Sequence, residues 1–148
     1  MSVEVSFRHL EAADCETVLR LMRDYYAEEG QEFVPDLAAA ALNEISGGNA
    51  LARVWLICLD KVIVGYVCVT LGFSLEVGGY DFFLDELFVI PESRGNGPSS
   101  AVLNFGGNES RSLGVRRICL EVERHNAVAR KIYSARDYHE HDRHLMST

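Results

Sequence analysis

No apolar run in this sequence approaches the roughly 20 residues that a membrane-crossing helix needs, and no basic-then-apolar segment opens the chain. A cytoplasmic protein with no membrane partner is expected. Cys15, Cys58, Cys68 and Cys119 form no Cys-x-x-Cys pair, and three of them lie in apolar, strand-like runs, so they read as reduced core thiols. Proline is scarce, and its three copies, Pro35, Pro91 and Pro98, each fall where an element should start or stop. Basic residues are in deficit: 14 Lys and Arg against 22 Asp and Glu leave a net charge of −8, which disfavours nucleic acid and attracts cations. Repeats and low-complexity tracts are absent. With 148 residues, 48% of them hydrophobic, the chain has the size of one domain (1–148) built on one core.

The most informative stretch runs from Asp85 to Asn104. An apolar run rich in aromatic and β-branched residues, Phe82 to Ile90, predicts a strand that Pro91 stops. Gly95 and Gly97 flank Asn96, so the backbone there is free to take positive φ and present bare N–H groups. Pro98 suits a first helical position, and Ala101, Val102 and Phe105 carry an apolar spacing onward. Strand, glycine-rich turn and helix start together form a cradle for a phosphate-bearing cofactor, because a helix N-terminus offers unpaired donors and a positive dipole end.

Around this stretch, the alternation in Val3–Phe7 predicts a first strand, and Asp14 is placed to cap a helix through Val18, Leu21, Met22 and Tyr25. A second helix is expected from Pro35 to Ile45. Arg53–Leu59 and Val62–Leu71, joined by Asp60-Lys61, read as an antiparallel hairpin. After the cradle, a helix to Leu113, a strand Arg117–Val122, a helix Asn126–Arg136 and a last strand near Asp142–Met146 complete a mixed sheet with helices on both faces. The last strand and its exposed edge are compatible with a homodimer.

Arg94-Gly95-Asn96-Gly97-Pro98-Ser99, after a strand ending Leu87-Phe88-Val89, resembles the acyl-coenzyme A signature of the GNAT N-acetyltransferases, and the rest of the chain follows that family in order. The resemblance implies an α/β GNAT fold whose mostly antiparallel sheet has a parallel central pair. It implies an enzyme passing acetyl from acetyl-CoA to a primary amine of a small molecule or peptide, by direct attack and without a metal. Leu87, Phe88, Val89, Arg94, Gly95, Asn96, Gly97, Pro98, Ser99 and Asn126 would then hold the cofactor. In Asn126-x-x-Ala129-x-x-x-Tyr133, Tyr133 would stand near the thioester sulfur as proton donor, and Tyr25 and Tyr26 would border the acceptor.

Transfer to an amine needs a group to take the amine's proton. The carboxylates on offer are Asp85 and Glu86 on the cradle strand and Glu121 and Glu123 on the next, with Glu121 also a candidate for the acceptor. Strict strand alternation would put Asp85 and Glu86 on opposite faces. A structural role for these acids, pairing with Arg116, Arg117 or Arg124, is the alternative. Gly95-x-Gly97-x-x-Ser100 also approaches a dinucleotide fingerprint, but the third glycine is missing and the motif sits late in the chain. His139-x-His141-x-x-His144 reads as a solvated strand edge rather than a metal site.

Three features depart from the family pattern. Ser99 stands where Gly or Ala is usual, Pro98 removes one N–H from the cradle, and Gly106-Gly107 interrupts the following helix at a cost of about 2 kcal/mol. A kink or fraying is expected there. These departures keep a second reading open, a weakly active or non-catalytic GNAT-fold protein that binds acyl-CoA or a partner.

Overall fold

In a computed structural model of the chain, residues 3–95 and 97–148 are described, without the side chain of Ser99. Five strands, β1 (Val5–His9), β2 (Ala52–Leu59), β3 (Val62–Ser74), β4 (Gly79–Val89) and β5 (Arg117–Leu120), form one sheet in sequence order. The first four run antiparallel, and β5 lies parallel to β4. Four helices accompany them: α1 (Cys15–Glu28), α2 (Pro35–Ser46), α3 (Pro98–Leu113) and α4 (Ala127–Ser134).

The apolar periodicities divide the core in two. Val18, Leu21 and Met22 of α1 and Ala38 and Leu42 of α2 close one face of the sheet over Val54, Leu56, Tyr66 and Phe88. On the other face Val102 and Phe105 of α3 meet Trp55, Ile57, Val67, Val69 and Phe82. Phe105 stacks on Phe7 of β1 with ring centroids 4.1 Å apart, which holds α3 across the sheet. Helices on both faces follow from strands whose alternate residues are apolar on either side.

Two irregularities shape the centre. At Gly65 a Cβ would stand 2.1 Å from the Phe88 carbonyl oxygen, so only glycine lets β3 approach β4 there. In β4 the register passes from Cys68↔Glu86 to Val69↔Leu84, leaving Asp85 as an extra residue with no partner opposite. This is a β-bulge, and it replaces the strict alternation expected of Asp85 and Glu86.

Several expectations are corrected. No strand forms at 142–146; residues 138–148 have no regular structure, and His139, His141 and His144 are exposed there. The run His139-Glu140-His141-Asp142-Arg143-His144 has no apolar alternation to bury against the sheet. The parallel pair accordingly stands at one side of the sheet rather than at its centre. Strand β5 ends at Leu120, so Glu121 and Glu123 lie beyond it and are exposed. Helix α3 runs unbroken through Gly106-Gly107, because Val102, Phe105 and Ser110 anchor it on both sides of the pair. Asp14 precedes α1 but its carboxylate does not cap that helix: it accepts from the Glu11 N–H and from the Arg8 guanidinium.

Candidate active site

Pairing between β4 and β5 covers only Asp81–Leu84 against Arg117–Leu120. Among the described residues, from the Asp85 bulge onward β4 has a partner on its β3 side alone, and the segment Glu86–Val89 presents its other edge without a strand. Unpaired strand backbone is a row of donors and acceptors for an extended ligand. A cleft of about 170 Å³ lies alongside, lined by Leu87, Phe88 and Val89 of β4, Tyr25, Glu28 and Glu29 of α1, and Arg94.

One end of that edge leads into the glycine-rich turn. Gly95 and Gly97 have φ of 86° and 91°, the left-handed region open to glycine, and Gly97 serves as the N-cap of α3. Pro98 occupies the first helical turn and is buried; the N–H groups of Ser99 and Ser100 start the helix without an intrahelical acceptor. Asn96 and the Ser99 side chain lie outside the described residues. Arg94 is already engaged: Nε donates to the Val89 carbonyl at 2.9 Å, Nη2 donates to Glu28, and the guanidinium lies 5.6 Å from the Phe88 ring centroid.

The other end leads to the carboxylates. Glu86 is partly buried and fully oriented: the Tyr26 hydroxyl donates to Oε2 at 2.6 Å and the Tyr66 hydroxyl to Oε1 at 2.7 Å. Burial, with the nearby Glu86 charge, raises both phenols far above their ordinary pKa, so they remain donors. Burial likewise pushes Tyr25 up to about 12, helped by the charges of Glu29, Glu86 and Asp85. Asp85 reaches solvent, yet the surrounding strands crowd its carboxyl and raise its pKa by desolvation. Cys68, opposite Glu86 on β3, is a buried thiol pushed to about 12 by burial and by both carboxylates. Tyr66 escaped the sequence reading; its only trace is a phenol inside an otherwise apolar strand.

The remaining candidates follow β5 in the chain. Tyr133 is half-buried on α4, its ring 5.7 Å from that of Tyr138, and burial raises its pKa. Asn126 is the N-cap of α4, its Oδ1 accepting from the Ala129 N–H at 3.1 Å. Glu121 makes no side-chain hydrogen bond among the described residues. The site therefore joins Tyr25, Tyr26, Asp85 and Glu86 with Leu87, Phe88, Val89 and Arg94, and Glu121 follows Leu120, the residue paired with Leu84 just before the bulge. No helix among the described residues is long and apolar enough to cross a membrane.

Comparison with known proteins places this geometry in context. The sequence model of the Acetyltransferase (GNAT) family matches residues 16–138. Among solved structures, an integron cassette protein, HFX_CASS3, from the mobile metagenome of Cole Harbour Salt Marsh is 34% identical, covering 96% of this chain and 88% of its own, with a TM-score of 0.82. A Clostridium acetobutylicum protein, described as a predicted acetyltransferase with acetyl-CoA, is 18% identical over 98% of this chain and 96% of its own, with a TM-score of 0.79. The aminoglycoside acetyltransferase AAC(6')-Iy, solved with a bisubstrate analogue, is 16% identical over 98% and 97%, with a TM-score of 0.81. At such identities the last two show the fold alone. No curated protein matches significantly in sequence.

Proposed function

Since the chain belongs to the GNAT acetyltransferase family, we propose that it transfers an acetyl group from acetyl-CoA to a primary amine by direct attack within a ternary complex. The observation that carries this reading is the unpaired edge of β4, which runs from the glycine-rich turn at Gly95 and Gly97 to Asp85 and Glu86. The pyrophosphate would meet the N–H groups of the turn and the first turn of α3, and the pantetheine arm would lie along Leu87–Val89. The acetyl carbonyl would then stand beside the bulge.

The chemistry balances without a covalent enzyme intermediate. The amine gives one proton to a carboxylate, its nitrogen bonds to the carbonyl carbon, and the carbon–sulfur bond breaks with its electron pair leaving on sulfur. The thiolate takes a proton from Tyr133 or from water. A raised carboxyl pKa, as at Asp85, suits a group that must accept a proton near neutral pH.

Calorimetric titration with acetyl-CoA, free coenzyme A and NAD tests the cradle, followed by thiol-release assays on a panel of amines. Micromolar binding of the two coenzyme A species and turnover on an amine are expected. Absence of coenzyme A binding would sink the proposal. Binding without turnover on any amine favours a non-catalytic acyl-CoA-binding protein, a reading supported by the missing Pro98 N–H and by an Arg94 already paired with Glu28.

A further inference from the structure

The hairpin that joins β3 to β4 carries apolar side chains that the core does not use. Its register pairs Leu71 with Phe82 and Phe73 with Tyr80, and strand alternation puts all four on the α3 side of the sheet. Leu71 and Phe82 join the core there. Phe73 and Tyr80, two residues further along each strand, are 65% and 49% exposed, with their rings edge-on at 5.4 Å. Leu75 in the turn is 95% exposed, and so is 65% of Leu51, whose carbonyl accepts from the Leu71 N–H.

Polar contacts brace this apolar face. Arg117 of β5 donates through Nη2 to the Asp81 carboxylate at 3.0 Å and to the Ser74 hydroxyl at 3.3 Å, and its Nη1 lies 3.5 Å from the Glu76 carboxylate. The Gly78 N–H closes the turn on the Ser74 carbonyl at 2.9 Å. A partner therefore meets a surface already in place, with little ordering cost. The hairpin stands at the first residues of the 11-residue β4, about 30 Å along the strand from the end that leads to the glycine-rich turn. The acyl-transfer reading gives it no task.

Size and charge together indicate the occupant. At about 150 to 200 Å² for a side chain of this size, the four residues expose roughly 500 Å² per copy. Two such faces together would bury about 1,000 Å², the size at which a specific interface begins. Chains of net charge −8 repel one another, so copies can meet only where the rim is locally neutral. Here Glu76 and Asp81 balance Arg116 and Arg117. The other exposed apolar stripes lack that balance: Val34 and Leu37 lie beside Glu32 and Asp36, and Val128 and Ile132 lie beside Arg124 and Lys131. Each of those would bring like charges together across a two-fold axis.

We propose that the β3–β4 hairpin is a self-association surface: two copies of the chain meet across a two-fold axis, each packing Phe73, Leu75 and Tyr80 on those of the other. The contact is independent of the acyl-transfer reading and leaves both cofactor turns open.

Sedimentation velocity of the full chain under reductant, from about 1 to 300 µM, tests it. A reversible dimer with a dissociation constant in the tens of micromolar is expected, as an interface of about 1,000 Å² gives. Leu75→Asp and Phe73→Ser should each weaken it at least tenfold. Phe73→Leu should keep it, and Leu37→Asp on α2 should leave it within twofold. Urea midpoints and acetyl-CoA affinity control for folding, and Leu75, in a turn and almost wholly exposed, can change without loss of the fold. Raising NaCl from about 20 to 300 mM should strengthen the dimer severalfold by screening the repulsion between the chains. A chain that stays monomeric throughout would overturn the proposal. So would a dimer that survives Leu75→Asp and Phe73→Ser, one lost in Leu37→Asp, or one that salt weakens, which would mean acidic α2 docking on basic α4.

Discussion

Arg94 Nη2 lies 2.7 Å from Glu28 Oε2, a bond that ties the turn after β4 to the last residue of α1. Both residues line the cleft beside β4. Both side chains are more than 40% exposed, so the pair is worth well under about 1 kcal/mol to stability. Glu28→Gln should therefore leave the melting temperature nearly unchanged while freeing the guanidinium. Tighter acetyl-CoA binding in Glu28→Gln, and about tenfold weaker binding in Arg94→Ala, are the expected calorimetric results.

Tyr133 offers a phenol that burial keeps protonated through neutral pH, so its proton is present to pass to a departing thiolate. Tyr133→Phe should lower kcat about tenfold or more and leave the coenzyme A dissociation constant within twofold. Stopped-flow thiol release measures the first and calorimetry the second, and an unchanged kcat would remove Tyr133 from the mechanism.

Gly106 sits in an unbroken helix with nothing within 4 Å of the place a Cβ would take, beside a small apolar cavity of about 30 Å³ under α3. Gly106→Ala should stabilise the protein by about 0.5 to 1 kcal/mol through lower backbone entropy in the unfolded chain. A urea melt would read this as a higher midpoint with an unchanged slope.

Gly65 allows no such change. Its Cβ would fall against backbone atoms of Phe88 that belong to the central ladder and have nowhere to move. Gly65→Ala should cost more than about 3 kcal/mol, or prevent soluble expression.

Asp14 predicts the acid sensitivity of the fold. Burial pushes its pKa up, but the hydrogen bonds from the Arg8 guanidinium and the Glu11 N–H outweigh this and hold it below the ordinary 3.8. A depressed carboxylate stabilises the folded state above its unfolded pKa and ceases to do so as pH falls through the folded value. Asp14→Asn should therefore be less stable than wild type at pH 6, and the difference should shrink below about pH 4. Denaturation midpoints between pH 3 and 6 would show it.

Local chemistry was enough to read most elements from the residues. Pro35 and Pro98 at helix starts, Asp60-Lys61 between two apolar runs and the glycines around position 96 act through their own backbone preferences, so they could be recognised without knowing their neighbours. The Tyr25-Tyr26 and Asp85-Glu86 pairs could be named as chemically interesting for the same reason. Their meeting could not. The Asp85 bulge depends on how β4 registers against Cys68 and Val69 of β3, and a one-residue shift in register cannot be seen in the pattern of one strand. Tyr66 became part of the site only because its hydroxyl reaches a neighbouring strand, 20 residues away in sequence. Continuity through Gly106-Gly107 was decided by packing against the sheet, which outweighs local helix propensity. At the C-terminus, an apparent strand signal near 142–146 found no strand to pair with, and without a ladder or an apolar face an extended segment has nothing to stabilise it.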